Sequence, residues 1–352
     1  MLGVEEELMI LDAESLLPVP AVRTLLAAAE GVDLPGVLKT ELFASVVELN
    51  TRPCATAPEA VDALRALRAE AAAIAERHGL RLAAAGSHPI ARPEEQEIVP
   101  EPRYLDFVAY AGVSARRQGV NGLHVHVAVP DADQCLRVLE GVLPWLPLFL
   151  ALSANSPYLA GEATGLASNR AEVLAQLPRN GAPPVFAVFA DWERTVQRMV
   201  DLGLVPDYTA IWWDARPHPR FGTLEVRAFD QPTGIELSGA FVALVQALVA
   251  TLLEQAHPGP ADRALYQEAR WAAAHYGPRA SLPDPAGERL LAVPELTDAL
   301  LALVEPAARE LGSVGLLAAI APQLCEGDRQ LEVGADDGLT AVAADIVRRT
   351  VE

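Results

Sequence analysis

Hydrophobic and polar residues alternate in several stretches of this chain, and the first begins almost at residue one. Gly3-Val4-Glu5-Glu6-Glu7-Leu8-Met9-Ile10-Leu11 has the pattern of a β-strand. Successive strand side chains point to opposite faces, so Glu5 and Glu7 share one face and Val4, Glu6 and Leu8 the other. Like charges side by side repel, which either solvation on an edge strand or a bound cation relieves. Residues 39–52 read as a second strand with an acidic lead, Glu41, followed by Val46-Val47-Glu48-Leu49-Asn50-Thr51. Gly122-Leu123-His124-Val125-His126-Val127-Ala128-Val129 alternates most regularly. His124 and His126 face one way there, and Leu123, Val125 and Val127 the other. Residues 81–86, 211–214 and 222–230 read as further strands. In the last of these Glu225, Arg227 and Phe229 share a face, and the Pro-containing residues 215–221 are expected to form the loop before it.

Between the strands the period changes to that of helices. Val61, Leu64, Leu67, Ala71 and Ile74 recur at helical spacing over residues 58–78, with Pro58 at the start and Gly79 at the end. Residues 18–30 read as a turn and a short helix, 104–117 as a helix, and Asp131 as the cap of a helix running to about 152. Another amphipathic helix covers 191–202. From Thr233 onward the pattern is almost wholly helical, with breaks near Pro258, over 278–285 and near Gly312. Residues 90–103 are rich in Pro and Glu and aperiodic, as a loop that lids a site would be. No repeat or linker divides the chain. The expectation is one composite α+β domain over 1–352, strand-rich over 1–232 and helical over 233–352.

Composition narrows the chemistry. The chain has 352 residues, 51% hydrophobic, with formal net charge −20, which excludes partners that need clustered Lys and Arg, such as nucleic acid or an anionic membrane. Lys39 is the one lysine. No Walker-type Lys is therefore available, and any phosphate contact is expected from Arg, backbone or metal. Cys54, Cys135 and Cys325 are scattered, which suits a reducing cytoplasm and offers no thiolate metal site. No signal peptide is evident, and the apolar stretches 143–152 and 240–253 read as buried helices too short to span a bilayer. The expected protein is soluble and cytoplasmic, and its apolar segment 240–253 offers a homodimer interface.

Four strands thus place ionisable groups on one face: Glu5 and Glu7; Glu48; His124 and His126; Glu225 and Arg227. Burying an unpaired carboxylate costs several kcal/mol, so such a face is solvated, paired or metallated. Carboxylates with an imidazole suit Mg²⁺ or Mn²⁺. An Arg among them suits a phosphate or carboxylate, and metal-assisted phosphoryl transfer is the chemistry this favours. Blander readings stand beside it. Glu225 and Arg227 also fit a same-face ion pair, Glu41 an exposed acid, one histidine a structural role, and 155–170 a tight turn with a helix cap. A metal-dependent hydrolase using His124 and His126 is a second enzyme class, and a non-catalytic nucleotide- or metabolite-binding protein a third.

Taken together these motifs resemble the glutamate–cysteine ligase type 2 (YbdK-like carboxylate–amine ligase) family of the glutamine synthetase-like superfamily. The resemblance runs from Gly3-Val4-Glu5-Glu6-Glu7 through Val47-Glu48-Leu49-Asn50-Thr51, Gly122-Leu123-His124-Val125-His126 and Ala151-Leu152-Ser153-Ala154-Asn155-Ser156-Pro157. It continues in Thr164-Gly165-Leu166-Ala167-Ser168-Asn169-Arg170, Trp212-Trp213-Asp214-Ala215-Arg216-Pro217 and Gly222-Thr223-Leu224-Glu225-Val226-Arg227. It implies a curved, mainly antiparallel sheet whose concave face holds ATP and divalent cations, with helices behind. It also implies cation ligands at Glu5, Glu7, Glu41, Glu48, His124 and Glu225. Arg227 and Arg170 would act on the transferring phosphate, and His126 and Ser168 would join them in binding ATP. The implied reaction activates a γ-carboxylate as an acyl phosphate, which an amine then attacks, releasing phosphate.

Overall fold

The computed structural model describes residues 1–255 and 259–352, so the helix break expected near Pro258 lies outside the described residues. Thirteen short or long strands occur in these residues. The chain opens with β1 (Leu2–Asp12), β2 (Gly36–Thr40), β3 (Val46–Thr51), β4 (Leu80–Ala83) and β5 (Gly122–Ala128). Two small ribbons follow, β6 (Tyr158–Leu159) with β7 (Glu162–Ala163), and β8 (Asn180–Gly181) with β9 (Trp212–Trp213). Then come β10 (Ala215–His218) and β11 (Thr223–Asp230), and a last ribbon of β12 (Ser281–Pro283) with β13 (Leu290–Ala292). Seven strands form one sheet in the order β10-β11-β5-β1-β3-β2, with β4 pairing the far end of β1. Every pairing in it is antiparallel. This α+β arrangement leaves no room for the parallel barrel that a hydrolase reading of the two histidines invokes.

One face of the sheet is apolar. Val4, Leu123, Val125, Val127, Leu224 and Val226 pack there against helices Ala57–Arg77, Ala132–Val142 and Ile235–Glu254. Helix Ala57–Arg77 starts where Thr56 accepts the backbone N–H of Glu59 and Pro58 presets the first turn. The helical spans Ala132–Ser153 and Ile235–Glu254 are longer than the sequence pattern suggested and apolar enough to cross a membrane. Their apolar windows are, however, 89% and 72% buried inside this fold, as core helices are. Residues 240–249 are buried within the chain itself, so this segment supplies core rather than the subunit interface expected of it.

Several local expectations change. Residues 39–52 are two strands, because the chain turns at Glu41–Ser45 and lets β2 pair back on β3. The expected loop 215–221 is mostly β10, with Pro217 on an edge strand where its missing N–H costs nothing. The helix expected over 104–117 breaks at Gly112, whose φ of 57° only glycine adopts freely. The helix begun at Asp131 passes through a tighter turn at Leu143–Trp145, beside Pro144 and Pro147. Residues 278–292 contain the β12–β13 ribbon rather than a plain interhelical break.

Phe229 also leaves its expected face. The register of β11 on β5 slips between Val226 and Phe229, where Arg227 and Ala228 stand against the single residue His124, so one extra residue bulges out and the alternation reverses. Phe229 enters the apolar side, with ring centroids 5.1 Å from Phe149 and 4.6 Å from Phe241.

Candidate active site

The opposite face of the sheet is polar, and strand register sets its layout. In one row Lys39 of β2 stands opposite Glu48 of β3, which stands opposite Glu7 of β1. In the next, Asn50, Glu5 and His124 follow one another across β3, β1 and β5. In the third, Gly3, His126, Glu225 and Arg216 run from β1 to β10. Glu41, at the turn between β2 and β3, comes in beside the first row. Two sets of three donor atoms result, each within 4.8 Å of one another: Glu7, Glu41 and Glu48, and Glu5, His126 and Glu225.

The first set is short of positive charge. Burial pushes the Glu7 carboxyl up to about 7, and the neighbouring Glu48 adds to the rise. Burial and the charge of Glu48 push Glu41 well above the usual carboxylate range. Glu7 accepts the Gly122 N–H at 2.5 Å, and Lys39 Nζ lies 3.4 Å from Glu48 Oε1. Three carboxylates this close remain ionised together only if a cation joins them.

The second set is better compensated. Burial works to raise Glu5, but the hydrogen bond to His124 at 3.2 Å and the His126 imidazole, whose Nε2 lies 3.7 Å from Glu5 Oε1, outweigh it and hold the carboxyl well below its usual range. Asn50 Nδ2 donates to Glu5 Oε1 at 3.0 Å. Glu225 is likewise held low, its burial outweighed by Arg216 and Arg227. Arg216 grips it bidentately at 2.7 and 3.1 Å, and Arg227 adds a contact to Oε1. Burial and the nearby Arg227 push His124 down to about 4. For His126, burial is outweighed by Glu225 and Glu5, and the imidazole is raised. His126 Nδ1 is hydrogen bonded to Thr223 Oγ1 at 3.0 Å, whereas its buried Nε2 has no hydrogen-bond partner.

Two further cations border these groups. Arg227 is anchored by its N–H to the Asp214 carbonyl at 2.8 Å and reaches between Glu225 and His124. Arg170 is buried and donates to the Arg227 carbonyl at 3.2 Å. A Cβ on Gly122 would stand 2.3 Å from Arg170 Nη2, so only glycine there lets the guanidinium lie against β5.

The glutamate-cysteine ligase family 2 model matches residues 1–333 of this sequence. The chain belongs to that family. A Rubrobacter xylanophilus protein provisionally named glutamate–cysteine ligase 2-3 is 41% identical over 96% of this chain and 93% of its own length. A Herpetosiphon aurantiacus protein provisionally named glutamate–cysteine ligase 2 is 33% identical over 100% of this chain and 93% of its own. Two crystal structures share the fold at a TM-score of 0.70. One is a glutamate–cysteine ligase from Francisella tularensis in complex with AMP, 14% identical over 99% of this chain and 88% of that one. The other is a bifunctional glutathione synthetase from Pasteurella multocida, 15% identical, of which this chain spans about half, 52%. The fold is that of glutamine synthetase-like ligases, and family membership makes this chain an ATP-dependent ligase.

In this family member, the sequence-derived candidates converge with one reassortment. Glu5, Glu7, Glu41, Glu48, His124, His126, Glu225, Arg170 and Arg227 meet on or beside the polar face. His126, however, joins Glu5 and Glu225 in a donor set, while His124 stands 3.2 Å from Glu5 as a hydrogen-bond partner. The Ser168 hydroxyl points inward. It donates to Asp230 Oδ1 at 2.8 Å and caps helix Asn169–Ala175 by accepting the Ala171 N–H. Glu6 lies on the apolar side, in a buried bidentate pair with Arg68 at 2.7 Å.

Three residues escaped the sequence reading. Arg216 falls within the expected loop 215–221, although its position before Pro217 in an edge strand gives it a face. Asp230 ties together Ser156, Ser168 and the Asn155 N–H at 2.7–2.9 Å; the run of small polar residues at 153–156 was its only sequence signal. Lys39, the one lysine, carries no Walker motif and so no phosphate role in the sequence pattern.

Proposed function

We propose that this chain is a carboxylate–amine ligase that uses ATP to join the γ-carboxylate of glutamate to an amine, L-cysteine being the first acceptor to try. The observation that carries the reading is the pair of three-donor sets on one sheet face, bordered by Arg227 and Arg170. Five carboxylates and one imidazole fit Mg²⁺ or Mn²⁺, and the orphaned His126 Nε2 fits a ligand position whose second ring nitrogen is oriented by Thr223. Glu7, Glu41 and Glu48 would hold one ion and Glu5, His126 and Glu225 another. Bound there, divalent ions supply charge that offsets the nucleotide's phosphates.

The chain's own residues then have separate tasks. Arg227 is the cation nearest the second set and, with Arg170 behind it, offsets charge on the transferring phosphoryl group. A substrate carboxylate oxygen attacks the terminal phosphorus and ADP leaves. The amine nitrogen then attacks the acyl carbon, loses a proton, and inorganic phosphate leaves. An acyl phosphate is lost to water unless shielded, and residues 90–103, expected to lid the site, together with the helix that follows them are our candidate for that shield. Tyr104 on helix Pro102–Ala111 donates to the Thr40 carbonyl at 2.8 Å, and Phe107 on the same helix meets Trp212 at a centroid distance of 5.1 Å. We further propose that the strand-rich and helical parts act as one catalytic domain on small-molecule substrates in the cytoplasm. The three free, buried cysteines suit that compartment.

The test is ADP formation from ATP and Mg²⁺ with glutamate and a panel of amines, with Glu5→Ala and Glu48→Ala as controls. Acceptor-dependent ADP release that both substitutions abolish supports the reading. Folded protein that gives no ADP across the panel overturns it.

A further inference from the structure

Three buried carboxylates of this fold are held by arginine forks. Arg68 holds Glu6 at 2.7 Å through two donors, Arg216 holds Glu225 at 2.7 and 3.1 Å, and Arg263 holds Glu140 at 2.6 Å through two. Glu48 differs. Its cation is Lys39, the one lysine in the chain, and the contact is a single Nζ–Oε1 approach of 3.4 Å. The Lys39 side chain is 48% exposed on edge strand β2, while that of Glu48 is 11% exposed. We propose that Lys39 is a resident counter-ion which a divalent cation displaces from Glu48, so that this residue sets the affinity of the Glu7–Glu41–Glu48 set alone. The inference rests on the reading of that set as cation ligands given above.

The chemistry of the two basic side chains supports the assignment. A guanidinium fork would engage both oxygens of Glu48 and compete with any ion for them, whereas an ammonium is a point charge that leaves one oxygen free. A long, half-exposed ion pair is worth at most a few-fold in equilibrium, so it yields to a divalent ion at little cost. Before the ion arrives, Lys39 is the cation in contact with Glu48, whereas Arg170 and Arg227 act on Glu7 from the other side of the set. The second set extends from Glu5 on β1 to Glu225 on β11 and has Arg216 and Arg227, not Lys39, as its cations, so the exchange should leave it unchanged. An ordinary edge lysine that only discourages strand pairing predicts none of this.

The experiment uses the full chain, Mn²⁺ without nucleotide, and two readouts: Mn²⁺ binding by electron paramagnetic resonance, and acylation of the Lys39 amine mapped by peptide mass spectrometry. Lys39→Ala should tighten one Mn²⁺ site about two- to fivefold and leave the other unchanged, Lys39→Arg should weaken that same site, and Mn²⁺ should speed acylation of wild-type Lys39. Two bound Mn²⁺ ions with no response to either substitution and unchanged acylation overturn the inference while leaving the cation reading intact. Folded wild-type protein that binds no Mn²⁺ overturns both.

Discussion

His126 and Glu225 stand directly opposite one another on adjacent antiparallel strands, and Glu225 is gripped on its other side by Arg216 from the next strand. One carboxylate thus serves two masters, an arginine that fixes its position and an imidazole whose Nε2 is unpartnered. Its removal has two consequences. Glu225→Ala leaves Arg216 charged and buried, and should cost about 3–5 kcal/mol of folding stability by denaturant titration. Glu225→Gln should cost less and still remove one of two Mn²⁺ sites, which equilibrium binding would resolve.

Glu6 and Glu5 are chain neighbours with opposite fates. Glu6→Ala breaks the buried pair with Arg68, a guanidinium that also donates to the Thr233 and Thr350 carbonyls. A loss of about 3–5 kcal/mol is expected, with Mn²⁺ affinity unchanged in the protein that remains folded. Glu5→Ala should lose cation binding, at a smaller stability cost because its partners are an amide and an imidazole rather than a buried guanidinium. Melting curves paired with Mn²⁺ titrations separate the two.

His88 gives a pH dependence away from the site. Its Nε2 is 2.9 Å from the Leu16 carbonyl, and its Nδ1 accepts the N–H groups of Ile90 and Ala91 at 3.1 and 3.0 Å. Burial pushes it down from 6.5 to about 4. The folded-state pKa is depressed, so the fold favours the neutral ring. That stability is complete above pH 6.5 and is lost as pH falls toward 4, at up to about 1.4 kcal/mol per unit. Denaturation midpoints at pH 7 and pH 4.5 should converge in His88→Gln relative to wild type, after allowing for the lower starting stability.

Glu7 bends the curve the other way. Burial and Glu48 raise its carboxyl from 4.5 to about 7, so the fold favours the protonated form. Its contribution is present below pH 4.5 and is lost as pH rises through 7 in metal-free protein. Saturating Mn²⁺ should remove this loss, because the bound ion favours the carboxylate. Equal stability at pH 8 in the presence and absence of Mn²⁺ would contradict the prediction.

Gly122→Ala tests the seating of Arg170. The added Cβ meets the end of a flexible side chain, so stability should change little while the guanidinium moves. Turnover should fall on the order of 10- to 100-fold, the scale expected for misplacing a catalytic cation by about 1 Å. The check is steady-state ADP release alongside a melting curve.

How far the amino-acid order alone reaches can be argued from these same residues. Period-2 alternation put Glu5 and Glu7 on one face of β1 and Glu6 on the other, and helical spacing outlined Ala57–Arg77 to within a residue or two. Chemistry local to each motif was also legible, because carboxylates, imidazoles and guanidiniums announce their hard, borderline and anion-binding preferences wherever they stand. What the tertiary structure decided is which of these meet. The pairings of β1 with β5 and of β5 with β11, including the slip between Val226 and Phe229, are choices between strands far apart in sequence, and the hairpins β2–β3 and β10–β11 depend on turns that the alternation does not mark. A one-residue shift in any of them turns every later side chain to the other face. These pairings bring His126 rather than His124 to Glu225, set Arg216 against Glu225 and Asp230 against Ser156 and Ser168, and lay the lone lysine opposite Glu48.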